Sequence, residues 1–222
     1  MSTLVRKVTD RQGWARFFST LKYALYVMTH PFDGYWDLIH EKRGSIAAAN
    51  FLVVMTLVVR LLSLQYTSFM FNNVYWPEVN ILQQCLSILL PLGIFCVCNW
   101  GLTTLFDGKG RLKDVYMATG YALAPFVILQ LICIPLSNVV TADESVFVSV
   151  LSSISLIWSG ALIICGMMMI HDYSLSKTLL FLIITVIGIM IVIFLLLLFF
   201  SLVGDGVGYF VSLYREIVFR LY

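Results

Sequence analysis

Of 222 residues, 60% are apolar and only 12% are charged, and the formal net charge is +2. Mean hydropathy is +0.94, whereas a soluble domain carries about 25% charged residues. These values, with several uncharged runs of about 18 residues or more, exclude an ordinary soluble domain and predict an all-α, polytopic membrane bundle.

The expected organisation is a cytoplasmic or interfacial amphipathic region (1–44), a five-helix transmembrane domain (45–203) and an amphipathic C-terminal tail (204–222). No cleavable signal peptide is expected, since the first 44 residues lack a short apolar core with a small-residue cleavage site. From Trp14 onward, Trp14, Phe17, Phe18, Leu21, Leu25 and Met28 recur at three- and four-residue spacing. That pattern predicts an amphipathic helix in the headgroup region. His30-Pro31 restarts the chain, and Pro31 suits the first position of a short second helix that Gly44 stops. On that helix Phe32, Tyr35, Trp36 and Ile39 share one face, and Asp33, Asp37, His40 and Glu41 the other. The expected membrane-interface anchors are therefore Trp14, Phe17, Phe18, Phe32, Tyr35 and Trp36. Helical spacing permits metal ligation by the acidic-histidine side, but a solvated polar face accounts for the same residues, and no metal is expected.

The first span is read as Ser45 to about Leu64, with Arg60 near its far end and Glu78 the nearest acid in sequence. Ile81 to Leu105 is the second span, kinked by Pro91 and Gly93. Val115 to Asn138 is the third, locally irregular at Pro125 and Pro135. Val146 to Ile170 is the fourth; its serines, with Gly160 and Gly166, favour close helix approach and place it at the bundle centre. Thr178 to Val203 is the fifth and most lipid-exposed. Gly204-Asp205-Gly206 is expected to end it, leaving Gly208 to Tyr222 as a last amphipathic helix. The five cysteines all lie in apolar runs, which suits small packing residues and not a disulfide framework. Cys96 and Cys98 fall about 200° apart on a helix and cannot chelate together.

Between the second and third spans lies the polar turn Phe106 to Tyr116, with Asp107, Lys109, Arg111, Lys113 and Asp114 between Phe106 and Tyr116. Gly108 and Gly110 bracket Lys109 and allow a tight, backbone-exposed turn. Eleven of the 14 Lys and Arg residues fall in the N-terminal segment, this turn and the turn after His171. The positive-inside rule places that side in the cytoplasm and, after five crossings, the C-terminus outside. The turn's mixed charges suit a complementary protein surface, so Phe106, Asp107, Lys109, Arg111, Lys113, Asp114 and Tyr116 are the candidate partner-binding residues.

The segments HPFDGYWDLIHEKRGS, NWGLTTLFDGKGRLKDVY and GYALAPF, with five spans, resemble the Yip family of Ypt/Rab-interacting membrane proteins in its bacterial branch. The resemblance implies a non-enzymatic, multi-pass protein of the plasma membrane. Its partners would be the bilayer and other membrane proteins, including ABC transporter subunits, without nucleic acid or cofactor. Rab binding is not expected, because no counterpart of the long cytosolic N-terminal domain of many eukaryotic members is expected here.

Enzyme signatures fail on inventory. Trp158-Ser159-Gly160 lacks the glycine two residues before the serine and a histidine in a later helix. Gly204-Asp205-Gly206 has no second intramembrane aspartate, and Asp107-Gly108-Lys109-Gly110 lacks the spacing of a phosphate loop. A transporter acting alone would rely on uncharged groups: Gln83, Gln84, Asn99, Gln130, Asn138 and the serines of the fourth span.

The topology has a direct test. A cysteine at Lys109 should react with an impermeant maleimide only from the cytoplasm, and one at Asn73 only from outside. Labelling of both from one face would remove the five-span reading.

Overall fold

A computed structural model describes residues 11–71, 79–106 and 108–221. Its helices are α1 (Arg11–Thr29), α2 (Pro31–His40), α3 (Ile46–Tyr66), α4 (Ile81–Leu105), α5 (Leu112–Ala122), α6 (Ala124–Val139), α7 (Ser145–His171) and α8 (Leu175–Leu221), with a 3-10 turn at Ala142–Glu144. Five spans are long and apolar enough to cross a membrane, namely α3, α4, α5 with α6, α7 and α8. The described residues include no strand.

Local chemistry accounts for the helix ends. The Ser45 side chain caps α3 by accepting from Ala48 N–H at 3.0 Å, and Asn80 caps α4 by accepting from Leu82 N–H at 2.9 Å; each satisfies an otherwise orphaned donor. Pro31 opens α2 at its first turn. The irregularity expected in the third span lies at Leu123, where α5 stops and α6 starts with Pro125 in its first turn. Proline has no N–H to bond the preceding turn and its ring crowds the carbonyl four residues back.

α8 departs from expectation. Gly204-Asp205-Gly206 does not end it, and the helix runs on to Leu221 without a break. Glycine costs a helix only about 1 kcal/mol per residue, and no proline or competing partner stops this one. At 47 residues it extends about 70 Å, more than twice a hydrocarbon core of about 30 Å.

α7 packs against α2, α5, α6 and α8, the central place expected of it. Small residues set how closely the helices approach. A Cβ on Gly120 of α5 would lie 2.9 Å from Ala49 Cβ and 3.2 Å from Ala49 Cα on α3. Gly34 brings α2 equally close to α1, its added Cβ 2.9 Å from the Val27 Cα. Gly166 of α7 lies beside the Tyr35 ring, whereas Gly160 faces open space.

Tyr35 is a correction to the sequence reading. Expected as a membrane-interface anchor, it is fully buried and donates to the Ala118 carbonyl at 3.3 Å. The inward stripe of α2 is Gly34, Tyr35 and Leu38, one step around the helix from the aromatic face, and burial raises the Tyr35 phenol pKa above its usual range. Phe32 and Trp36 remain exposed, as does Phe18. Phe17 is half-buried and packs edge-on against Phe51 of α3 with centroids 5.5 Å apart. The Trp14 side chain and Glu78 lie outside the described residues. α1 rests on the bundle through Ala24 and Val27 and turns Phe18 and Leu25 outward.

These contacts predict opposite signs for the same substitution. Gly120→Ala should lower the melting temperature of the detergent-solubilised protein by the equivalent of about 1–3 kcal/mol, the usual cost of overpacking. Gly160→Ala should leave it unchanged or raise it, because alanine is the better helix former and nothing obstructs it. Equal shifts for the two would refute the close α3–α5 approach.

Candidate functional site

The basic turn, the α2–α3 link and the α7–α8 turn meet at one end of the bundle. The Lys109 ammonium pairs with Asp172 at 2.8 Å. That hydrogen bond, reinforced by charge, holds the Asp172 carboxyl below its ordinary range and the lysine above its own. Both groups are exposed, so water screens the pair and it contributes little to stability.

The stronger tie is buried. Gly110 N–H donates to His171 Nδ1 at 3.4 Å, and His171 Nε2 lies 3.2 Å from Asn99 Oδ1. A lone pair at Nδ1 puts the proton on Nε2, so the neutral ring donates to Asn99. Asn99 then donates through Nδ2 to Thr185 Oγ1 at 3.3 Å. His171, Asn99 and Thr185 are all at least 98% shielded from solvent, where an unpaired polar group is costly. One imidazole therefore joins the turn to α4, α7 and α8.

The role of the turn's glycines differs from expectation. Neither has a positive φ. An added Cβ on Gly108 would lie 2.7 Å from the Thr103 carbonyl oxygen and 2.9 Å from His171 Nδ1, and one on Gly110 would collide with Ile170 and His171. They are needed for the absence of a side chain and not for backbone freedom. Phe106 is clamped as well: its carbonyl accepts from Tyr173 O–H at 2.7 Å and its ring packs on Phe181 with centroids 5.2 Å apart.

The other candidate residues separate by what they touch. Asp114 accepts from Arg111 N–H at 3.3 Å and caps α5. Tyr116 donates to Asn50 of α3 at 2.6 Å. Arg111 and Lys113 are exposed and form no ion pair among the described residues. Asp107 lies outside the described residues. Sequence reasoning missed His171, Tyr173 and Tyr121, and it weighed Asn99 only as a transport group. The available signal was Asn99 itself, a polar residue in an uncharged span that must find a partner. Tyr121 is buried; it accepts from Ser45 N–H at 3.3 Å and donates to the Thr20 carbonyl at 3.1 Å, joining α1, α3 and α5.

On α2 the acidic-histidine face is engaged within the protein. Asp37 receives Arg43 at 3.4 Å and Tyr23 O–H at 3.5 Å, and Glu41 receives Arg43 at 2.6 Å. His40 stacks on Trp36 at 4.2 Å. No group of three metal-ligating side chains is assembled among the described residues. Deeper in the bundle Gln130 donates to Ser152 at 2.7 Å and joins α6 to α7, so this group, weighed for transport, holds helices together.

A family model described as the Yip1 domain matches residues 25–198. No curated protein and no solved structure matches the chain.

The buried and exposed ties should respond differently to removal. Asn99→Leu strands the His171 N–H and takes a donor from the Thr185 hydroxyl, which keeps the Phe181 carbonyl at 2.7 Å, and should lower stability by about 1–3 kcal/mol, read as a lower melting temperature in detergent. Lys109→Ala should shift that temperature by no more than the experimental error. The reverse order would mean that the exposed pair, and not His171, holds the turn.

Proposed function

This chain belongs to the Yip1-domain family, whose match covers most of its length, and from that premise we propose that it is a non-enzymatic accessory or scaffold protein of a bacterial plasma membrane. Its basic end faces the cytoplasm, its C-terminus lies on the far side, and the central turn docks another membrane protein, with an ABC-type transport subunit as the leading class of partner. The observation that carries this reading is the clamping of the turn. A connector between antiparallel helices needs only a few polar turn formers, yet this turn is held by His171, Asp172 and Tyr173. Leu105 is nevertheless 77% exposed and Phe106 50% exposed beside it. A rigid loop presenting apolar groups loses little conformational entropy on docking.

The test places a photo-crosslinking amino acid at Leu105 in the membrane-embedded protein. The expected product is a discrete adduct with one membrane protein, identified by mass spectrometry and reduced when Tyr173→Phe loosens the turn. Adducts to lipid alone, or a protein adduct indifferent to Tyr173→Phe, would overturn docking through this turn.

A further inference from the structure

Beside the turn, a cleft of about 570 Å³ opens between the α2–α3 link and the start of α5. Lys42, Lys109, Arg111 and Lys113 line it against one carboxylate, Asp114. Along the sequence the turn reads as mixed in sign, but the fold sorts its charges. Asp114 is turned to the α5 N-terminus, while Lys42 arrives from a distant segment and makes no ion pair among the described residues. The first turns of α3 and α5 also border the cleft, through Ser45-Ile46 and through Arg111, Lys113 and Asp114. Helix N-termini carry partial positive charge and favour anions.

We propose that this cleft holds the headgroup phosphate of an anionic phospholipid. The charge calls for a phosphate, and the wall calls for a lipid. Ile39 and Ile46 line the same cleft over the buried Leu38 and Met117, and Ile46 and Leu112 are the first residues of two membrane spans. The cavity thus opens at the boundary of the hydrocarbon layer, where a headgroup lies and its acyl chains descend beside α3 and α5. A soluble phosphate would have no use for that apolar wall. Lys42 adds an independent sign, because its φ of 53° is one that glycine adopts without the cost to a side chain. At this strained position the chain carries a cation facing the cleft. The site goes beyond the scaffold reading and does not depend on it, since the cleft and the exposed Leu105–Phe106 surface are supported by different helices.

The test uses the full chain in nanodiscs of phosphatidylcholine with increasing phosphatidylglycerol, reading lipid retained after purification by native mass spectrometry and thermal stabilisation by added dihexanoyl-phosphatidylglycerol. Lys42→Gly removes the cation and relieves the backbone, so the variant should fold at least as well as the parent. It should bind the short-chain lipid roughly fivefold more weakly, the usual contribution of one lysine near an anionic surface. The triple variant Lys42→Gly, Arg111→Gln, Lys113→Gln should bind roughly a hundredfold more weakly. Lys22→Gln, at the same end but outside the cleft, should bind as the parent does. Equal losses for Lys22→Gln and Lys42→Gly would mean unspecific surface attraction and overturn the site. Equal stabilisation by inorganic phosphate would assign the cleft to a free anion and overturn the lipid. A photo-crosslinker at Ile39 that captures only protein would give the cleft to an acidic partner segment instead.

Discussion

The hydrogen bonds of His171 are the constraint on which the basic end depends. Although the turn around it is wet, the His171 side chain is 98% shielded from solvent, so the ring must find both its donor and its acceptor partner within the protein. It accepts from the Gly110 backbone and donates to Asn99, and those two needs fix where the turn lies against α4 and α8. Gly108 and Gly110 are small because the ring and Ile170 occupy the space a side chain would take. The visible ion pair between Lys109 and Asp172 is a consequence of that placement, since an exposed pair is too weak to cause it.

Beyond this end the solvent is lipid, and the packing follows from that. Only 11% of the most apolar stretch of α8 is buried, although its mean hydropathy is 3.4. In water such a surface would collapse; in a bilayer it is simply solvated. Helix association therefore relies on close backbone approach, as at Gly120 and Gly34, and on hydrogen bonds across helices, as from Gln130 to Ser152 and from Tyr121 to Thr20. The two short helices before the first span belong to the same core: Tyr35 of α2 and Val27 of α1 are fully buried with residues of α3, α5 and α7.

The fold also assigns the charges of the turn to separate tasks. Lys109 binds Asp172 and Asp114 caps a helix, while Arg111 and Lys113 remain exposed and face the same cleft as Lys42. Charge that reads as a balanced mixture along the chain becomes a locally basic concavity, while Leu105 and Phe106 at the start of the turn stay exposed.

Class, span number and most helix ends were determined by the sequence alone, because run length, charge and capping residues act within one segment. The α4 span was legible as Ile81–Leu105 to the residue, and the first span was read from Ser45, which is the N-cap of α3. The aromatic face of α2 was only partly legible: periodicity placed Tyr35 with Phe32 and Trp36, but only packing decided that its ring turns into the core. Continuity of α8 through Gly204-Asp205-Gly206 was likewise hidden, since local propensity costs are too small to decide a helix end. Of the buried ties only the need was legible, in Asn99 within an uncharged span, and not the partner. His171 and Asn99 stand 72 residues apart, Asn99 and Thr185 stand 86 apart, and nothing local in either pair specifies the other. Only the tertiary structure brings such groups together, because a polar atom cut off from water must be satisfied by whatever distant segment the helix packing delivers to it.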